Sequence, residues 1–517
     1  MQRKHLPIGI QTFRKIREGD YYYVDKTGLA ARLVETGSHY FLSRPRRFGK
    51  SLFLDTLAEL FSGTEELFSG LAVHGRWDWG RRYPVIRLSF ADGVLHGRAQ
   101  LDEKIDELLS ANESRLGVAG RERSVSGRFH GLIRAAAEHH GERVVVLVDE
   151  YDKPILDNLT APALALEMRD GLRNLYSVIK GADAHLRFAF LTGVSKFSKV
   201  SLFSGLNNLR DITVSREYSA ICGYTEADLD QVFAPELDGL DRDQIRAWYN
   251  GYNWTGESVY NPFDLLLLFQ ERQFRPWWFE TATPTFLVQV LTERHTFLPK
   301  LERLIASEQL LSAFDVEHIS TEALLFQTGY LTIDRVRQLG AFIEYRLRYP
   351  NLEVRASLNG ALLDALSARA SATAEQTARL YTLLEANDFG GLEQLFTAFF
   401  ASIPHDWYRN NPIARYEGYY ASVFYAYFAS LGLDLTPEES SNAGRLDLAL
   451  RFNGQVYLFE LKVVEYGGEG SALQQIKARG YADRYRGAGQ PIHQIGVEFS
   501  GEQRRVVRFE VETLAAC

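Results

Sequence analysis

The chain has 517 residues, 46% of them hydrophobic and 24% charged, with a net charge of -8. That length suggests about three domains, and the composition is that of domains which bury cores. The acidic balance argues against a general polyanion-coating protein. It still leaves room for local clusters of basic residues.

The start, MQRKHLPIGIQTF, has no apolar core of secretory-signal length. The best apolar runs, at 144–148 and 265–269, are too short to span a bilayer. Cys222 and Cys517 suggest no disulfide framework, and there is no CxxC pair for zinc. A cytoplasmic protein with no membrane partner is the expectation.

Between 40 and 220, short apolar strands alternate with helical stretches. The predicted strands are HYFLS (39–43), PVIRLSF (84–90), RVVVLVD (143–149) and LRFAFLT (186–192). This pattern predicts a parallel sheet covered on both faces. Residues 225–380 read as mostly helical, as in NPFDLLLLFQERQF and ALLDALSARASATAEQTARLYTLLEA. Within them, FQTGYLTIDRV and IEYRLRYPN read as a strand pair resembling a winged-helix wing. From about 385 the pattern becomes a long helix (414–431), a hairpin (445–463), a helix (471–486) and two strands, PIHQIGVEFS and RRVVRFEVE. Three domains follow: 1–225 as a P-loop α/β unit, 226–384 as a helical, winged-helix-like region, and 385–517 as a separate α/β unit.

The first strand runs into RPRRFGKS, Arg44–Ser51. A phosphate loop has the form GxxxxGK[ST] between a strand and a helix. Gly49, Lys50 and Ser51 match, while Arg44 replaces the first glycine and implies a different turn. The loop's backbone N–H groups, with Arg44, Pro45, Arg46, Arg47, Phe48 and Gly49, would cradle the phosphates of ATP. Lys50 would neutralise phosphate charge and Ser51 would ligate Mg²⁺. A GKS tripeptide alone is common, so the context decides. The strand at 143–149 ends in Asp149 and Glu150, an expensive placement for two acids unless they act on a metal or water. Asp149 would hold Mg²⁺ through water, and Glu150 would activate the attacking water. Thr192 ends another strand and reads either as a sensor of the γ-phosphate or as ordinary turn chemistry. Arg210 and Arg216 stand where an arginine finger could be, or are surface arginines.

The segment 445–463 reads RLDLALRF-NG-QVYLFELKV. Asn-Gly between alternating strands signals a two-residue type I′ turn. Phe452 then faces Gln455, and counting back puts Asp447 opposite Glu460, with Lys462 on the same face. Two adjacent carboxylates repel unless a cation lies between them, and a hard divalent ion suits their oxygens. Lys462 would orient water or stabilise developing phosphate charge. A half-exposed hairpin with a polar solvent face has the same alternation. Glu417, on an aromatic helix, is either a third carboxylate or a helix N-terminal charge. The helix with Gln475 and Tyr481 also carries Lys477, Arg479, Arg484 and Arg486, and reads as a phosphate-backbone surface or a solvated face.

Nearly the whole chain resembles one family, the bacterial AAA-ATPase-like proteins fused to a C-terminal PD-(D/E)XK nuclease domain. The matching segments include LPIGIQTF, YYYVDKTGL, FLSRPRRFGKSL, LVDEYDKPI, LTGVSKFSKVSLFSGLNNLRDIT, WYNGYNW, VYNPF, LLFQTGYLTI, YEGYYASVFYAYF, GRLDLAL, LFELK and ALQQIKARGYADRY. In that family arginine is the usual residue at the loop's first position, so Arg44 does not count against ATP binding. The resemblance maps nuclease residues to Glu417, Asp447, Glu460, Lys462, Gln475 and Tyr481. It implies Mg²⁺-dependent phosphodiester cleavage, with Mn²⁺ as a substitute, on nucleic acid, DNA before RNA. A homo-oligomer and a role in mobile-element biology or defence are further implications. The competing expectation is an ATP-driven switch or scaffold whose nuclease-like domain binds without cleaving.

Overall fold

The computed structural model describes residues 3–515 apart from 121, 197–207, 283–284, 295, 313–319, 367–369, 403–416, 442–443, 468–469, 488, 501 and 504. The chain forms two compact units. One comprises Met1–Trp278 with Ile305–Asn351, the other Phe279–Leu304 with Leu352–Cys517. The segment 226–384 therefore contributes to both.

The first unit is built on five strands: β1 (His39–Ser43), β2 (Val85–Ser89), β3 (Val144–Asp149), β4 (Leu186–Gly193) and β5 (Arg210–Asp211). All pairs are parallel, in the order β2-β3-β4-β1-β5. The four strands expected from apolar runs are all present. β1 is buried throughout and β3 up to Asp149, as parallel strands covered on both faces must be. The order sets the carboxyl ends of β3, β4 and β1 side by side, where open parallel sheets bind ligands. Helix α1 (Lys50–Ser62) follows the first loop and ends at Gly63, whose φ of 73° lets its N–H reach the Glu59 and Leu60 carbonyls.

A three-stranded sheet follows, with β6 (Leu304–Ser307), β7 (Thr332–Leu339) and β8 (Phe342–Arg348) in the order β6-β8-β7. β7 and β8 are the strand pair expected from the sequence. Helix α2 (Thr321–Thr328) leads into β7, capped by the Ser320 hydroxyl on Ala323 N–H.

The second unit centres on helix α3 (Glu417–Ser430) and strands β9 (Asp434–Ser441), β10 (Gly444–Phe452), β11 (Gln455–Val463), β12 (Ile492–Ser500) and β13 (Arg505–Leu514). Their order is β13-β12-β11-β10-β9, with only β11 and β12 parallel. Helix α4 (Ser471–Ala478) lies in the crossover between that parallel pair. Every residue from Val423 to Ala429 is fully buried, so α3 is apolar all round and acts as the core of the unit. Phe424 stacks on Phe396 at 3.9 Å, and Phe428 lies 5.2 Å from Phe459 of β11.

The β10–β11 turn has Asn453 at φ 52° and Gly454 at φ 70°, the double left-handed pair of a type I′ hairpin. Leu448 faces Phe459 and Phe452 faces Gln455, which is the register counted from the sequence. The helix expected over 471–486 is broken. α4 stops at Ala478, Gly480 turns at φ 59°, and a short turn of helix resumes at Asp483–Arg486. A left-handed glycine cannot continue a right-handed helix.

Close packing of α4 on β12 depends on Gly496. A Cβ there would lie 2.4 Å from the backbone nitrogen of Leu473. Gly496→Ala must push α4 off the sheet, and we expect a loss of about 1–3 kcal/mol in urea unfolding of the second unit. An unchanged midpoint would show that α4 floats freely.

Candidate nucleotide and nuclease-like sites

The loop after β1 is held from behind. The guanidinium of Arg44 is fully buried. It donates to the carbonyls of Ser43 at 2.8 Å, Thr213 at 2.9 Å and Tyr218 at 3.1 Å, with a longer contact to Ser219 at 3.5 Å. Its carbon sits 3.9 Å from the centre of the Trp254 ring. Burial brings its pKa down to about 10, so it remains a cation at neutral pH. Arg44 is thus turned away from the loop's open face and anchors it. Phe48, also buried, meets Tyr252 and Trp254 edge-on. Pro45 lies against Gly329, where a Cβ would approach its ring to 2.6 Å. The Trp278 indole donates to the Arg46 carbonyl at 3.1 Å.

On the open face, Arg46, Arg47 and Gly49 are exposed. Gly49 needs its φ of 88° rather than space, since nothing lies within 4 Å of an added Cβ. Arg47 also has positive φ, 68°, and its guanidinium lies over Phe263. The Lys50 ammonium folds back into the loop and donates to the carbonyls of Arg44 at 3.0 Å and Pro45 at 2.9 Å. Burial lowers its pKa, against the opposing pull of Asp149 and Glu150 nearby. Ser51, in the first turn of α1, is half-buried.

At the end of β3, Glu150 adopts φ 47°, a costly conformation for a non-glycine residue. Its N–H donates to the Asp149 carboxylate at 3.0 Å. Burial raises the Glu150 pKa, with Lys50 and Arg46 opposing and Asp149 reinforcing. The structure therefore brings Lys50, Asp149, Glu150 and Arg46 into one electrostatic group. Thr192 reaches the same sheet end, but its hydroxyl is buried and donates to the Leu42 carbonyl at 2.9 Å.

Sequence reasoning missed Asp152 and Gln327. Buried Asp152 accepts from the N–H groups of Val194 at 3.1 Å and Ser195 at 2.6 Å, and from the Ser195 hydroxyl. It locks the end of β4 to the end of β3. Gln327 of α2 accepts from Lys196 N–H at 2.8 Å and donates to the Leu311 carbonyl at 2.9 Å. Asp152 had a faint signal, a third acid just after a buried strand. Gln327 had none.

In the second unit, alternation along β11 splits its side chains. Phe459 points to α3, while Val456, Leu458 and Glu460 face the side covered by Ile476, Tyr481 and Tyr485. Glu460 is 1% exposed. Gln475 of α4 donates to its Oε1, and Lys462 Nζ lies 3.4 Å from the same oxygen. Asp447 Oδ2 accepts the N–H of Leu461 at 2.8 Å, which fixes that carboxylate against β11. Burial raises the Tyr481 pKa, and the Glu460 and Asp447 charges add to the effect while a hydrogen bond with Gln475 opposes it. Asp447, Glu460, Lys462, Gln475 and Tyr481 thus converge. The Glu417 side chain lies outside the described residues.

Glu498, also missed, orients α4. Its oxygens accept the N–H groups of Gly470 at 2.9 Å and Ala472 at 3.0 Å, at the helix start. An acid inside the apolar run IGVEF was its sequence signal. Among the described residues, no group of three or more His, Cys, Asp or Glu side chains is placed to hold a metal ion. The Asp447–Glu460 pair supplies two carboxylates, a donor set suited to a hard divalent cation.

A protein of Azotobacter chroococcum mcd 1, described as an uncharacterized protein in the vnfD 5′ region, is 69% identical over 515 residues, covering 99% of this chain and all of that protein. Residues 7–203 match the family described as predicted AAA-ATPase, and residues 415–509 match the PD-(D/E)XK nuclease superfamily. The chain belongs to the AAA-ATPase-like proteins with a C-terminal PD-(D/E)XK domain. The first match falls within the parallel-sheet unit and contains Arg44–Ser51, Asp149, Glu150 and Thr192. The second falls within the mixed-sheet unit and contains Glu417, Asp447, Glu460, Lys462, Gln475 and Tyr481. No solved structure matches the chain. Among the described residues, no helix is long and apolar enough to cross a membrane.

The Arg44 cage yields a test that runs against motif logic. Arg44→Gly restores the usual loop glycine, yet strips buried carbonyls of their donor. We expect a loss of about 2–4 kcal/mol in stability and weaker, not tighter, nucleotide binding. Urea unfolding and a nucleotide titration on one preparation measure both. Tighter binding by the variant would mean that the cage is incidental.

Proposed function

We propose that the chain binds and hydrolyses ATP at Arg44–Ser51 with Asp149 and Glu150, and cleaves nucleic acid phosphodiesters at Asp447, Glu460 and Lys462. In this reading 1–225 is the ATPase domain, 385–517 the nuclease domain, and 226–384 the region through which nucleotide state governs cleavage. The reading is carried by the convergence of Glu460, Lys462, Gln475 and Tyr481 beside Asp447, on the hairpin face that the register demands.

At the first site, Lys50 would exchange its two loop carbonyls for phosphate oxygens, and Arg46 would add a second positive charge. Ser51 and Asp149 would hold Mg²⁺, and Thr192 would support the loop through β1. Glu150 would take the proton of the attacking water. At the second site, Asp447 and Glu460 would hold Mg²⁺, or Mn²⁺ in its place. When bound, the ion supplies Lewis acidity and a more acidic water. Lys462 would place that water and offset charge on the phosphate. Gln475 holds Glu460 in place, and Tyr481 packs beside them on the same face of the sheet. Glu417 is assigned here as a further carboxylate. ATP and DNA are the proposed partners, in a cytoplasmic protein that acts as a homo-oligomer.

A second reading, an ATP-driven switch or scaffold whose nuclease-like domain only binds, draws on the net charge of -8, which opposes retention of a polyanion. A cleavage assay separates the two. Single- and double-stranded DNA and RNA are incubated with Mg²⁺ or Mn²⁺, with and without ATP. We expect metal-dependent product that vanishes in Asp447→Ala and Glu460→Ala while ATP hydrolysis persists. Product that survives Asp447→Ala sinks the metal assignment, and no product on any substrate leaves the switch.

The raised Glu150 pKa predicts a pH effect. A base must be ionised, so the acidic limb of the ATPase profile should lie above the ordinary carboxylate range. The folded state favours the protonated form. That relative stability is fully present below the unfolded pKa and is lost as pH rises through the raised one. Glu150→Gln should therefore abolish turnover, retain ATP binding, and unfold no earlier than the parent at neutral pH. A destabilised variant would show that the charge of Glu150 supports the fold.

A further inference from the structure

The β7–β8 hairpin carries a feature that packing does not explain. Arg335 and Arg346 are directly opposed across the two strands. Like charges in that position destabilise a sheet. The neighbouring cations are matched, Arg337 with Glu344 and Arg348 with Asp334. Among the described residues no carboxylate pairs with Arg335 or Arg346. The hairpin holds four arginines against two carboxylates on a chain whose overall charge is -8. Further along the same face, Leu339 and Phe342 oppose each other at the tip, 46% and 48% exposed. All residues from 334 to 342 are exposed, so the ribbon projects from its sheet.

We propose that this hairpin grips duplex DNA, with Arg335 and Arg346 on one phosphate and the Leu339–Phe342 tip in the minor groove. A phosphate between the two guanidiniums converts their repulsion into a charge-assisted contact on each. Apolar tips flanked by arginine are how minor-groove binders wedge between base steps, whereas duplex RNA is read largely by shape and its 2′-hydroxyls. The ribbon starts four residues after α2, and Gly329 between them abuts Pro45 of the phosphate loop. A duplex held here would lie at a fixed position in the ATPase-like unit. The proposal rests on the nuclease reading and deepens it by naming where the substrate is held.

The test is fluorescence anisotropy of a labelled DNA duplex with the full chain in EDTA, over a salt series. An RNA duplex of the same sequence runs beside it, and cleavage is assayed separately with Mg²⁺. We expect Arg335→Gln/Arg346→Gln to bind DNA at least tenfold more weakly and to lower the salt slope by about 1, the one phosphate they share. Its urea midpoint should not fall, since a repulsion has been removed. Leu339→Ser/Phe342→Ser should weaken binding with the slope unchanged. Parent-like DNA affinity in the arginine variant overturns the proposal and leaves the nuclease reading intact, because the parent still cleaves. Tighter binding of the RNA duplex overturns the assignment to DNA. A parent that neither binds nor cleaves any duplex removes both readings together.

Discussion

A buried guanidinium organises the loop at the carboxyl end of β1. Removing a cation from water costs several kcal/mol unless it is paired or hydrogen-bonded. Arg44 offsets that cost through its two terminal nitrogens, with carbonyls from 43, 213 and 218, and through the face of Trp254, while its Nε is buried without a hydrogen bond among the described residues. Those partners belong to β1, to the segment after β5 and to the WYNGYNW stretch. A phosphate loop normally turns on a glycine at this position. Here the turn is set by a side chain tethered at several points. That leaves Gly49 and Arg47 to supply the left-handed backbone on the loop's open face.

The same device recurs in the second unit with the opposite sign. Glu460 and Glu498 are both 1% exposed, and each is held by groups from α4 or its start. Lys462 pairs in register with Glu498 while its ammonium lies near Glu460. Gly496, between these rows, lets α4 come close enough for Gln475 to reach Glu460. A bulkier residue there would disturb the site without touching any group in it. A buried charge in this protein thus ties together segments far apart in sequence.

This is also why some of the molecule was legible in the sequence and some was not. Strands β1, β3 and β4 were readable because burial on both faces leaves apolar runs, and edge strand β2 because its apolar residues flank an exposed Arg87. The β10–β11 register was readable because Asn453–Gly454 fixes the turn and a period of two fixes the rest. The role of Arg44 was not, since all its partners but the neighbouring Ser43 carbonyl lie about 170 residues or more away and no local pattern encodes them. Thr192 illustrates the same limit: its place at the strand end was readable, but not that its hydroxyl would be taken by Leu42. The continuous helix over 471–486 failed at Gly480. Its polar–apolar pattern persisted through the break, and only the backbone angle reveals the turn.

Net charge was the weakest guide. A value of -8 spread over 517 residues says little about any one surface, because exposed charges are screened beyond about 8–10 Å. The phosphate loop shows the consequence. Arg46 and Arg47 stand exposed beside the buried Lys50 ammonium, and the acids nearby, Asp149 and Glu150, sit at the end of β3. Over that distance the local field is set by these few groups. An acidic protein that binds nucleotide and nucleic acid is therefore coherent, provided that its cations are concentrated and its carboxylates are engaged elsewhere.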